Sequence, residues 1–195
     1  MGSGPVSSAR VRQLSQGRLA ELVLESATDF AIFTADLDGI ITSWNGAAER
    51  VMGWSEAEAV GQHACMIFTP EDQAKDACDL EMAQAGATGR AMDERWHLRK
   101  DGSTFWGSGS MTRLEDEAGK HLGYCKIVRD RTEQHEAGQR LEASKVLLRN
   151  VLESNPDCLK LLDLDGRLTF MNGPGLRLME IGDFQDVSGK HWTSL

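Results

Sequence analysis

Two short apolar runs set the pattern near the start of the chain. Residues 31–35 (AIFTA) and 40–44 (IITSW) are β-prone, and Asp36-Leu37-Asp38-Gly39 stands between them. Asp-Gly between two such runs is a strong hairpin signal, because the turn needs positive φ and glycine supplies it at no steric cost. After Trp44 the chain becomes small and helix-friendly through Asn45-Gly46-Ala47-Ala48-Glu49-Arg50, with Gly53 and Gly61 as punctuation. Upstream, residues 10–27 carry Leu14, Leu19, Leu22 and Val23 at roughly helical spacing, which predicts an amphipathic leader helix, broken near Gly17. Thr69-Pro70-Glu71-Asp72 has the chemistry of a helix start, and the spacing predicts one helix from there to about Gln84.

Further on, alternation predicts strands over 92–99, 103–114 and 121–129, separated by Lys100-Asp101-Gly102 and by the polar stretch 115–120. With period two, Phe105, Gly107, Gly109 and Met111 share one face of the middle strand, and Trp106, Ser108, Ser110 and Thr112 share the other. Residues 133–154 read as a single helix. Ala137, Leu141, Leu148, Val151 and Leu152 make a thin apolar stripe near heptad spacing, interrupted by Ser144.

The order Asp36-Leu37-Asp38-Gly39, Trp44-Asn45, Ala47-Ala48-Glu49 and Gly53-Trp54 resembles the start of a PAS domain. The resemblance continues through Asp93–Trp106 and closes with Gly123-Tyr124-Cys125-Lys126-Ile127-Val128-Arg129-Asp130-Arg131-Thr132-Glu133, over roughly residues 20–133. It implies an α+β fold: a five-stranded antiparallel sheet with short helices on one face, a leader helix and a C-terminal signalling helix. It implies that the face with Phe105, Gly107, Gly109 and Met111, joined by His97 and Tyr124, is turned to the helices and to any pocket. Trp96, Leu98 and Trp106 then lie outward, where the leader helix or a second subunit would cover them. Asp130-Arg131-Thr132 resembles the junction that couples many PAS sheets to an output helix, which makes these residues the expected signal relay.

The first block recurs. Val23-Leu24-Glu25-Ser26 is matched by Val151-Leu152-Glu153-Ser154, Asp36-Leu37-Asp38-Gly39 by Asp163-Leu164-Asp165-Gly166, Asn45-Gly46 by Asn172-Gly173, and Gly61-Gln62-His63 by Gly189-Lys190-His191. The expected organisation is therefore a tag or disordered segment at 1–9, the leader helix at 10–27, a PAS domain at 28–132, a linking helix at 133–154, and at 155–195 the N-terminal part of a second, incomplete PAS unit.

Charge and composition narrow the function classes. Hydrophobic residues make up 41% of the 195, which is ordinary for a globular chain. The formal net charge of −9 argues against a nucleic-acid partner, which needs a basic surface. No apolar run is long enough to span a membrane, and Met1–Ser8 lacks the apolar core of a signal peptide. The four cysteines, at 65, 78, 125 and 158, have no CxxC spacing. They read as reduced, mostly buried residues of a cytoplasmic protein.

Candidate chemistry is sparse. In flavin-binding PAS domains the adduct-forming cysteine falls on Ala64 of this chain, with Cys65 one residue late. The two flavin-binding asparagines fall on His97 and Gly107, and the switching glutamine on Val128, so the flavin pattern is absent at all four positions. His97 could face the pocket and bind haem iron, yet the haem-ligating histidine of oxygen-sensing PAS domains lies on the preceding helix, and residues 72–92 hold no histidine. His97 is therefore expected to be a core residue with a satisfied hydrogen bond. His135, in Glu133-Gln134-His135-Glu136, resembles a kinase phospho-acceptor only loosely and is expected to be solvated. No phosphate-cradling loop or nucleophile motif is present, so no catalysis is expected of this chain. No metal site is expected either; Asp36 and Asp38 lack calcium-loop spacing. The candidate pocket comprises His97, Gly107, Gly109, Met111 and Tyr124. It would hold a small-molecule ligand, or the space beside Gly107 and Gly109 is filled by a side chain such as Phe68 or Met82.

The resulting expectation is a cofactor-free sensory and dimerising module of a bacterial signalling protein, such as a sensor histidine kinase or a cyclase. Its partners would be a second copy and the output domain of the parent protein. The alternative is a flavin- or haem-dependent sensor of light, redox state or gas.

Overall fold

The computed structural model describes residues 15–194, so the segment at 1–9 and the first residues of the leader helix lie outside the described residues. Two compact units meet at His135/Glu136.

In the first unit, helix α1 (Gln16–Ser26) is capped by Ser15, whose hydroxyl accepts from Arg18 N at 3.3 Å. Gly17 sits in its first turn and does not break it. Strands β1 (Ala31–Ala35) and β2 (Ile41–Trp44) form the expected hairpin, with Gly39 at φ 78°. Asn45 then anchors three segments at once. Its Oδ1 caps helix α2 (Gly46–Met52) by accepting from Ala48 N at 2.8 Å and also accepts from Ile32 N at 2.9 Å; its Nδ2 donates to Phe30 O at 3.0 Å. A short helix α3 (Glu56–Ala59) and a 3-10 turn (Ala64–Ile67) follow.

The single helix expected from Pro70 to Gln84 is two. Helix α4 (Pro70–Gln73) stops after one turn, and helix α5 (Ala77–Thr88) starts anew. Asp76 between them takes φ 53°, a left-handed conformation that no continuous helix accommodates. The restart turns Cys78, Glu81, Met82 and Ala85 towards the interior.

Strands β3 (Arg90–Leu98), β4 (Thr104–Glu115) and β5 (His121–Asp130) complete an antiparallel sheet in the order β2-β1-β5-β4-β3. Helix α2 packs on β1, and α5 packs on β3, β4 and β5. The core between sheet and helices holds Phe33, Ile41, Trp44, Met52, Ile67, Phe68, Phe105, Met111 and Val128. On the outer face, Trp96, Leu98 and Trp106 are half-buried. Part of their cover comes from the start of helix α6 (Thr132–Ser154): the His135 ring stacks on Trp106 at 3.9 Å between centroids and lies edge-on to Trp96. His135 is thus a packing residue rather than a solvated one.

The second unit contains a two-stranded sheet of β6 (Lys160–Leu162) and β7 (Leu168–Met171), then helix α7 (Gly173–Leu178). It repeats details of the first. Asn172 caps α7 through Gly175 N at 3.0 Å and accepts from Leu159 N at 3.0 Å, as Asn45 does upstream. The Arg167–His191 bridge matches that of Ile40–His63. Its core gathers Leu168, Met171 and Val187.

Candidate functional site

The helix-facing side of the sheet carries charge. Alternation along β3 turns Ala91, Asp93 and His97 inward, and alternation along β5 turns Tyr124, Lys126 and Val128 inward. Glu81 points down from α5. Lys126 is 1% exposed, Asp93 1%, His97 0% and Glu81 4%, so four ionisable side chains share a position that apolar residues ordinarily fill.

Lys126 Nζ donates to Glu81 Oε1 at 2.5 Å and to Asp93 Oδ2. Asp93 Oδ1 accepts from Arg95 Nε at 2.5 Å, and Arg95 reaches on to Asp72 at 3.7 Å. His97 Nε2 lies 2.8 Å from Asp93 Oδ2 without the alignment of a hydrogen bond, a close polar contact to a neutral ring. Phe68 and Phe105 enclose the imidazole at centroid distances of 5.6 and 5.4 Å. Among the described residues, His97 Nδ1 and Glu81 Oε2 are buried without a partner. The satisfied core histidine expected from the sequence is instead the unsatisfied edge of an ion network.

The three partners titrate differently for physical reasons. Burial dominates at Glu81 and raises its pKa above the usual carboxylate range, the Lys126 charge opposing only in part. Burial pushes Asp93 the same way, but His97 and Lys126 together overcome it and hold this carboxyl well below its ordinary value. The difference follows the partner count, since Asp93 is contacted by Lys126, Arg95 and His97, and Glu81 by Lys126. Burial also lowers the pKa of His97, against the pull of Asp93.

A pH dependence follows. The unfolded chain takes up a proton on His97 near pH 6.5, whereas the folded chain resists until lower pH, so His97 destabilises the fold progressively as pH falls below about 6.5. Glu81 acts in the opposite sense, because its raised pKa makes the folded state bind a proton first. Comparing wild type with His97→Gln isolates the histidine contribution. In urea unfolding the wild type should lose stability relative to the variant between about pH 7 and about pH 5. A difference that stays flat over this range would show that His97 is not held neutral.

The sequence-derived pocket residues all lie along this side. His97, Gly107, Met111 and Tyr124 are buried. A Cβ at Gly107 would come within 2.7 Å of the His97 ring and 2.9 Å of Val128, so here the missing side chain makes room for the imidazole, not for Phe68 or Met82. Gly109 serves the backbone: a Cβ there would run into the Ile127 carbonyl of β5. Tyr124 packs edge-on to His121 near the β5 start, away from His97. Neither flavin-adduct chemistry nor haem ligation fits these residues. Aromatic rings enclose His97, and Cys65 is bonded to Cys78. This disulfide overturns the expectation of four reduced cysteines; Cys125 and Cys158 are free. The Cα atoms of Cys65 and Cys78 are 5.4 Å apart, which suits the bond.

The second cluster is the exit from the sheet. Asp130 Oδ2 accepts from Arg99 Nη2 at 2.6 Å, and Arg99 Nη1 donates to Val51 O at the end of α2. Asp130 Oδ1 accepts from Thr132 N at 2.9 Å and from Thr132 Oγ1 at 2.6 Å. Thr132 Oγ1 in turn accepts from Trp106 N at 2.9 Å, and Arg131 N donates to Trp106 O at 2.8 Å. Burial would raise the pKa of Asp130, but the Thr132 and Arg99 hydrogen bonds outweigh it and lower it. Asp130 therefore ties α2, β3, β4 and the first turn of α6 together as a charged cap.

A family model described as the PAS fold matches residues 19–131, more than half of the chain. The chain belongs to the PAS family. Its PAS domain is similar to that of sensor and two-component proteins. It is 34% identical over 124 residues to Two-component system protein A of Emericella nidulans, covering 60% of this chain and 17% of that protein. It is 29% identical over 118 residues to Sensor protein FixL of Bradyrhizobium diazoefficiens, covering 57% of this chain and 22% of that protein. The chain thus spans about a fifth of the length of these curated relatives. Among solved structures, a PAS domain from Colwellia psychrerythraea superposes with a TM-score of 0.56 at 25% identity, over 61% of this chain and 99% of that one. Among the described residues, no helix is long and apolar enough to cross a membrane.

Proposed function

We propose that this chain is a sensory and dimerising PAS module of a cytoplasmic two-component signalling protein, of the sensor histidine kinase kind, without catalytic activity of its own. The observation that carries the reading is the Asp130 cap. It joins the sheet and α2 directly to α6, so a change of packing in the PAS core reaches the helix through Arg99, Asp130 and Thr132. Helix α6 is suited to pair with the same helix of a second copy. Leu141, Leu148 and Val151 are 57–58% exposed and recur at heptad spacing, and no residue of α6 is buried. A parallel pairing would bring equivalent stripes together on a twofold axis. The similarity to two-component and sensor proteins supports the same reading.

Light scattering at high micromolar concentration should report a dimer for the wild-type chain and a monomer for Leu141→Asp/Leu148→Asp, since two charges per helix would be buried in an apolar seam. In the same chain, Asp130→Ala should speed amide exchange over residues 132–136 while leaving the sheet protected. A wild-type monomer, or an Asp130→Ala variant with unchanged exchange at the helix start, would overturn the proposal.

A further inference from the structure

The Cys65–Cys78 bond plays no part in the relay above, yet it sits where chemistry from solvent can reach the core. Cys65 lies in the 3-10 turn (Ala64–Ile67) and is half-buried; Cys78 lies in the first turn of α5 and is 2% exposed. Both line a surface cleft of about 360 Å³ with Gln62, His63, Met66, Gln73 and the two acids Asp76 and Asp79. A donor nitrogen of His63 and the two sulfurs all lie within 4.8 Å of one another, and His63 Nδ1 accepts from Cys65 N at 3.2 Å. Three residues beyond Cys78, on the same buried face of α5, is Glu81, the half-satisfied member of the ion network.

We infer that Cys65–Cys78 is a thiol–disulfide switch that reads the redox poise of low-molecular-weight thiols and passes it through α5 to the Glu81–Lys126–Asp93 network. This deepens the cytoplasmic sensory reading by naming its signal, and rests on it: in a reducing compartment a disulfide persists only as a reversible, redox-sensing bond. The exchange is balanced. The thiolate of a small thiol attacks the more exposed Cys65 Sγ, the Cys65–Cys78 bond breaks, and Cys78 leaves as a thiolate that takes a proton. A second thiolate then attacks the external sulfur of the mixed disulfide. This releases the oxidised small-molecule disulfide and leaves both cysteines reduced, with two electrons supplied by two thiols. The cleft leaves Cys65 Sγ open to a small thiol, with the His63 ring beside both sulfurs. Once the bond is cut, no cross-link holds the start of α5 to the 3-10 turn, and the helix that positions Glu81 gains freedom.

The test uses the whole chain, incubated natively in reduced or oxidised glutathione, then alkylated under denaturing conditions and weighed. With Cys125 and Cys158 free and four cysteines in all, labelling should rise from two per chain in the oxidised buffer to four in the reduced one. Amide exchange over residues 77–88 should rise with it, and Cys65→Ser/Cys78→Ser should show the fast exchange in both buffers. Labelling fixed at two in both buffers would make the bond a permanent staple and overturn the switch. Labelling fixed at four would show that the bond does not form, and would overturn the switch equally. A rise in labelling without any change over residues 77–88 would remove the link to the core. Zinc retained by the reduced chain, read by elemental analysis, would replace the switch by a metal site of His63, Cys65 and Cys78. None of these outcomes depends on oligomeric state, so failure here and failure of the dimerising-module reading remain separable.

Discussion

Lys126→Met should destabilise the PAS core by about 3–5 kcal/mol, the range for removing one partner from a buried ion pair. Methionine matches the length of the lysine stem, so the loss is not one of volume. What remains is two buried carboxylates without their shared cation. Asp93 keeps Arg95 and His97 as partners, but Glu81 keeps none. Glu81 already has a raised pKa, and in the variant it should fold only by taking up a proton. The destabilisation should therefore shrink in acid, as the pH approaches the usual carboxylate range. Lys126→Met/Glu81→Gln, which removes the orphaned charge, should recover a good part of the loss even at neutral pH. Urea unfolding across pH reads all three. A single variant within about 1 kcal/mol of wild type would mean that the network is not ionised in the fold, since surface pairs alone contribute so little.

Gly109→Ala should be nearly as damaging, although it adds one methyl group. The position lies in the middle of β4, paired on one side with Asp93 and on the other with Val128. A Cβ there meets the Ile127 carbonyl of β5, a backbone atom that cannot rotate away as a side chain would. Relief requires β4 and β5 to separate at the point where they carry Lys126 to its partners. The expected cost is about 3 kcal/mol, the upper end of the overpacking range. Gly138→Ala on α6 is the control, because an added methyl there meets nothing within 4 Å and alanine favours the helix. Chemical unfolding of both variants checks the contrast, and equal stabilities would show that β4 and β5 can part without penalty.

Much of the architecture is legible in the sequence because its causes are local. Gly39 at the turn and Asn45 at the helix start act on residues a few places away, and the same pair of signals recurs at Gly166 and Asn172. Strand alternation is equally short-ranged. It groups Phe105, Gly107, Gly109 and Met111 on one face, and the resemblance turns that face inward together with His97 and Tyr124; the structure buries all of these but Gly109, which is half-buried. Carried two residues past Tyr124, the same alternation points to Lys126; carried four before His97, it points to Asp93. That signal was present but conflicted with hydropathy, since a lone lysine or aspartate in an apolar face reads as an exposed position. The lysine is tolerable because Asp93 on β3 and Glu81 on α5, 33 and 45 residues away, are brought to it by the fold.

Four features were decided by tertiary structure alone, and for one reason. The restart of the helix at Asp76 aims Cys78 and Glu81 inward. Cys65 meets Cys78 across a separation of 13 residues without a spacing motif, and His135 folds back onto Trp106. The space beside Gly107 goes to His97 rather than to a ligand. Each depends on which elements are brought within a few ångströms by packing of the whole sheet and its helices. Local propensity and period, which are properties of neighbouring residues, determine the elements and their faces. The ion network, the disulfide and the ring stack depend on distances between residues remote in sequence, and those exist only once the core has closed.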